Sequence, residues 1–93
     1  MSRGRPRPAP SLPNDGVVRI FRERAGRGGR VVTVVRGFTE RGAALDALAG
    51  ELRRLSGAGG TVRGDAVLIQ GDHRDRIAEC LRALGYVVKL AGG

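Results

Sequence analysis

The run Gly59-Gly60-Thr61-Val62-Arg63-Gly64-Asp65-Ala66-Val67-Leu68-Ile69-Gln70-Gly71-Asp72 decides how this chain folds. Thr61-Val62-Arg63 and Ala66-Val67-Leu68-Ile69-Gln70 are short β-rich stretches, and Gly64-Asp65 between them is a two-residue hairpin turn. Gly71 then breaks the strand. Asp72 is placed to cap a helix, and Asp75 follows three residues on, close to a capping-box arrangement. Ile77, Leu81 and Leu84 supply that helix with one apolar face, with Cys80 at its side. Gly85 stands where a left-handed C-terminal cap belongs. Tyr86-Val87-Val88-Lys89-Leu90 is a last strand, and Ala91-Gly92-Gly93 a frayed end.

Upstream of the run, Leu45, Leu48, Leu52 and Leu55 recur at helical spacing and draw a single apolar stripe. Thr39 is a candidate N-cap for that helix, and the Gly57-Ala58-Gly59-Gly60 breaker run ends it. Gly42 and Gly50 weaken it by about 1 kcal/mol each if interior. Arg53 and Arg54 near its end suit the macrodipole. Further upstream, Val17-Val18-Arg19-Ile20-Phe21-Arg22 and Val31-Val32-Thr33-Val34-Val35 read as strands. The basic, glycine-rich stretch Glu23–Arg30 joins them into a hairpin. The order is strand, strand, helix, strand, strand, helix, strand. Two helices with one narrow stripe each cover one face of one sheet, so the expected fold is an α+β two-layer sandwich on a mostly antiparallel sheet.

Residues 1–16 differ from the rest. Pro6, Pro8, Pro10 and Pro13 alternate there with Arg3, Arg5 and Arg7, and almost nothing apolar accompanies them. Such a segment cannot bury enough surface to offset its ordering entropy, so a disordered basic tail is expected ahead of a single domain over 17–93. Aromatics are confined to Phe21, Phe38 and Tyr86, so Val, Leu, Ile and Ala must build the core.

The formal net charge is +8, and Lys89 is the only lysine. A small domain this basic is drawn to polyanions, nucleic acid first and anionic membrane second. A high-GC genome explains the choice of arginine over lysine, but not the surplus of base over acid. Cys80 is alone, so neither a disulfide framework nor a Cys/His zinc cluster is possible. No stretch reaches the length of a membrane span. His73 falls at a helix start with neither a nucleophile nor a pocket beside it, so no enzymatic reading arises and no cofactor or metal is expected.

The hairpin loop is the most informative local feature. Arg24, Arg27 and Arg30 stand around Gly28 and Gly29; guanidinium groups there can reach into an RNA groove, and glycine backbone N–H groups can approach phosphate. An ordinary solvated hairpin tip is the plain alternative. Gly26-Arg27-Gly28-Gly29 has the spacing of a KH-domain loop, but it lies between strands rather than helices. Gly57–Gly60 follows a helix and precedes a strand, the reverse of a P-loop.

The Gly-Gly-Thr-Val run at 59–62, the apolar strand, and Gln70-Gly71-Asp72 with Arg74 just beyond resemble the signature of SUI-type initiation factors, translation initiation factor one and its relatives. The ending from Leu81 to Gly93 is similar to the bacterial and archaeal branch, and the basic hairpin followed by Val-Thr-Val-Val-Arg-Gly also matches. The resemblance covers about 17–93. With no secretory signal or membrane span in the sequence, a cytosolic protein is expected, and a monomer. The resemblance implies that it binds the small ribosomal subunit through its rRNA near the decoding region, with mRNA and initiator tRNA as further candidate partners, and that it modulates initiation fidelity or start-codon selection. By position it directs Arg24, Arg27 and Arg30 towards rRNA, with Arg36 and the Gln70-Gly71-Asp72-His73-Arg74 segment as secondary contacts. Bacterial relatives often carry cysteines just before the Gly-Gly run, where this chain has Ser56 and Ala58. For the bacterial relatives the resemblance also admits a stress-related inhibitor of initiation. Alternatives from other classes are a general RNA-binding or chaperone-like module and a protein-binding adaptor that uses its exposed sheet face.

Overall fold

The computed structural model describes residues 16–25 and 28–91. Seven elements follow one another as β1 (Val17–Ala25), β2 (Arg30–Arg36), α1 (Ala43–Ser56), β3 (Gly60–Arg63), β4 (Ala66–Gln70), α2 (Arg74–Ala83) and β5 (Val87–Leu90). The strands form one sheet in the order β3-β4-β2-β1-β5. All neighbouring pairs are antiparallel except β1 and β5. The helices account for that exception. α1 carries the chain from β2 to one edge of the sheet, and α2 carries it from β4 to the other, where β5 arrives running with β1. The expected two-layer α+β sandwich is what forms.

Strand alternation divides the sheet into two faces. Val18, Ile20, Val35, Val67 and Ile69 point to the helices and are fully buried. Leu45, Ala49 and Leu52 of α1 and Ile77, Ala78 and Leu81 of α2 meet them in one cluster. Each large aliphatic side chain buried this way contributes about 1.5–3 kcal/mol. Leu48 and Leu55 pack at the margin of the cluster. The expected stripe therefore faces the sheet, but with Ala49 at its centre.

Several local expectations need correction. Thr39 does not cap α1. The helix begins four residues later, after Gly42 at φ 59°, and no side chain caps it. The residues around Thr39 are committed elsewhere: Phe38 is buried in the core, and Arg41 Nη1 donates to the carbonyls of Phe38 and Glu40, both at 2.7 Å. Phe38 meets Tyr86 edge-on, with ring centroids 5.6 Å apart. The core is thus not wholly aliphatic. Gly42 stands outside the helix, so only Gly50 weakens its interior.

Asp72 does not cap α2 either; His73 is the N-cap residue, without a side-chain cap bond. Leu84 lies past the end of α2 and is 60% exposed rather than part of its apolar face. Both helix ends behave as expected. The N–H groups of Gly85 and Tyr86 donate to the Arg82 and Leu81 carbonyls, and those of Gly57 and Ala58 to the Arg54 and Arg53 carbonyls. These are Schellman closures. The β3–β4 turn is also as expected: Arg63 pairs with Ala66 across Gly64-Asp65.

Candidate nucleic-acid interface

β1 and β2 outrun the rest of the sheet. Their ladder continues to the pair Ala25 and Arg30, whereas β5 leaves β1 at Ile20 and β4 leaves β2 at Val32. Beyond those points the two strands pair with each other as a two-stranded finger. Glu23, Arg24 and Arg30, expected in the loop, are therefore strand residues. Pairing satisfies backbone groups that an open loop would leave to water. Gly28 and Gly29 form the turn, with Gly29 at φ 66°.

Arg24 and Arg30 are both exposed on the finger. Arg24 Nη1 donates to the Gly29 carbonyl at 3.2 Å, so this guanidinium leans along its own hairpin and keeps donors free for another acceptor. Arg27 lies outside the described residues, as does the tail up to residue 15. Arg36 stands at the opposite end of β2 from Arg30, about 20 Å away at strand rise. It is not part of the finger; its Nη1 lies 4.0 Å from Asp65 Oδ1.

The Gln70–Arg74 segment is a fixed corner at the base of the finger. Thr33, the buried polar residue of β2, donates from Oγ1 to the Gly71 carbonyl at 2.6 Å and accepts from the His73 backbone N–H at 3.0 Å. The Gly71 N–H donates to the Val31 carbonyl at 2.8 Å. His73 Nε2 lies 2.9 Å from the Gln70 carbonyl, which as an acceptor calls for the hydrogen on Nε2. Gly71 sits at φ 94°, and a Cβ there would come 2.7 Å from His73 Nε2.

Asp72 holds Arg74 through a forked pair, Nε to Oδ1 at 2.9 Å and Nη2 to Oδ2 at 3.2 Å. The Arg74 hydrogen bond keeps the Asp72 carboxyl below its ordinary value, and Asp72 in turn raises Arg74. Arg22 Nη1 approaches the same carboxylate at 4.0 Å. Both side chains are solvated, so the pair orients Arg74 more than it stabilises the fold.

The corner and the finger meet at Arg22 and Thr33, which are cross-strand partners. Neither was among the expected site residues. Thr33 did carry a signal, a hydroxyl in the middle of Val-Val-Thr-Val-Val; Arg22 carried none until strand register set it beside Asp72. Alternation also separates the expected residues. Arg24 lies on the helix side of the sheet with Asp72 and Arg74, while Arg30 and Arg36 lie on the opposite, open side, which no helix covers among the described residues. Among the described residues, no group of three metal-ligating side chains comes together, and no helix is long and apolar enough to cross a membrane.

Residues 14–87 match the family described as translation initiation factor SUI1. The YciH protein of Salmonella typhimurium is 46% identical over 89 residues, covering 95% of this chain and 82% of that protein. YciH of Escherichia coli matches with the same identity and coverage. A protein translation factor SUI1 homolog of Pyrococcus abyssi is 38% identical over 69 residues, 74% of this chain and 69% of its own length. With the family match spanning most of the described fold, the two-helix sandwich and its basic finger belong to the SUI1 family of translation initiation factors.

Proposed function

We propose that this protein binds the small ribosomal subunit near its decoding region and modulates initiation fidelity or start-codon selection. The observation that carries this reading is the two-stranded finger with Arg24 and Arg30 exposed along it. A finger built from paired strands presents its cations at lower entropic cost than a loose loop. Guanidinium groups bind phosphate bidentately and stack on exposed bases. The rigid Gln70–Arg74 corner behind the finger adds Arg74, held in one orientation by Asp72. The mechanism is steric and electrostatic. The domain docks on rRNA, and the finger biases which codon–anticodon pairings persist.

Sedimentation with purified small subunits at moderate salt tests the proposal. The full chain should co-sediment, and replacing Arg24, Arg27 and Arg30 together by alanine should weaken binding by about tenfold or more through lost phosphate contacts. Unchanged binding by that variant would remove the finger from the mechanism. A toeprinting assay with near-cognate start codons then reads fidelity.

A further inference from the structure

The open face of the sheet carries an ordered pattern that the finger does not explain. Register sets Lys89 opposite Arg19, and Arg19 opposite Arg36. One step beyond the printed pair of Val35 with Val67, Arg36 comes level with Ala66, which pairs with Arg63. Lys89, Arg19, Arg36 and Arg63 thus stand in one row across all five strands. The row is about 19 Å long at ordinary strand spacing. Like charges set opposite each other on neighbouring strands repel. A polyanion laid over them turns that repulsion into attraction.

The next row on the same face is apolar up to Thr61 at its end. Phe21 pairs with Val34, Val34 with Leu68, and Leu68 with Thr61. Phe21 and Leu68 remain partly exposed. A cationic row and an apolar row therefore run side by side across the strands. A single nucleic-acid strand has the matching order, phosphates along one side and base faces along the other. The face is not uniformly basic: Glu23 stands one row beyond Phe21, and Asp65 lies 4.0 Å from Arg36. Glu23 lies beyond the apolar row, whereas Asp65 partners Arg36 within the cationic row, so a phosphate at Arg36 would compete with that carboxylate. Arg30 shares this side of β2 with Arg36, so the tract is continuous with the finger.

We propose that the open sheet face is a second RNA-binding surface, on which a short single-stranded segment lies across the strands with its phosphates on Lys89, Arg19, Arg36 and Arg63 and a base stacked on Phe21. This rests on the reading of the chain as an RNA-contacting factor, but not on the ribosome as the source of the RNA.

Fluorescence anisotropy with a labelled oligouridylate of about eight nucleotides, longer than the row, tests it on the full chain. Arg36→Ala with Lys89→Ala, both at exposed positions, should weaken binding by about tenfold and lower the salt slope by about 1.4, the value for two lost single-strand phosphate contacts. Phe21→Leu keeps apolar packing and removes the stacking plane; it should weaken binding several-fold with an unchanged salt slope. Amide shifts on titration should map to β1, β2, β3 and β5. Oligonucleotide binding that ignores these substitutions overturns the proposal. So does a face that answers only to an acidic peptide. The finger variant separates the two readings. If it loses the subunit but keeps the oligonucleotide, both stand; if it keeps the subunit while the sheet variants lose the oligonucleotide, only the finger reading fails.

Discussion

Thr33 Oγ1 and the Gly71 carbonyl, 38 residues apart in sequence, meet at 2.6 Å and tie the corner before α2 to the centre of the sheet. The same hydroxyl receives the His73 N–H, so one buried side chain satisfies two backbone groups. Thr33→Val keeps the shape and leaves both groups short of a partner. It should cost about 1–3 kcal/mol in urea unfolding. Thr33→Ser retains the oxygen and should lose less. Amide exchange at His73 should accelerate in the valine variant only; equal protection in both would show that packing, not the hydroxyl, holds the corner.

Gly37 follows β2 at φ 105°, and a Cβ there would collide with the backbone carbonyl of Val17. Backbone cannot swing aside as a side-chain tip can. Gly64, at φ 63°, has open space around the same position. Gly64→Ala should therefore cost only the left-handed strain of about 1–2 kcal/mol. Gly37→Ala should cost more, by forcing β1 and β2 apart. Thermal melts of the two variants should rank in that order.

Tyr86 donates from its hydroxyl to Glu40 Oε2 at 2.7 Å. Burial first, and then the Glu40 hydrogen bond and charge, push the phenol up from about 10 to about 12. The folded value lies above the unfolded one. The stability contributed by the neutral phenol is therefore fully present below pH about 10 and is lost as pH rises through about 12. Ultraviolet titration should place the phenolate midpoint near 12, and Glu40→Gln should lower it without restoring the ordinary value, because burial remains. An ordinary midpoint in the native protein would show that Tyr86 is solvated.

Leu81 and Leu84 look alike as members of one helical stripe, yet Leu81 is fully buried and Leu84 is 60% exposed. Leu81→Ala should cost about 2–5 kcal/mol, the range for cavity-forming truncations. Leu84→Ala should stay within about 0.5 kcal/mol, as surface changes do. Chemical denaturation curves with matched slopes settle the pair.

The contrast shows where sequence reading reaches its limit. Periodicity registers that an apolar residue falls on a stripe, but not where the helix stops being covered. Gly85 marks the end of α2, and the Schellman closure leaves Leu84 outside the packed layer. The late start of α1 has a similar origin. Thr39 is a good cap in isolation, but burying Phe38 and bonding Glu40 to Tyr86 commit its neighbours to another path.

For the candidate site, charge, glycine content and the basic hairpin were legible because each is local. The division of Arg24 from Arg30 and Arg36 between two faces was not, and neither was the meeting of Arg22 with Asp72. Both depend on how far the β1–β2 ladder extends and on which residues it sets opposite one another.

Residue order alone determined the succession of seven elements, the two-layer architecture and the membership of the SUI1 family, because apolar spacing, turn glycines and helix-end glycines act over a few residues. Only the tertiary structure decided the sheet order β3-β4-β2-β1-β5, the buried Thr33 anchor and the cationic row across the open face. Strand neighbours and register are chosen by the joint burial of side chains distant in sequence, and that selection is made when the layers pack.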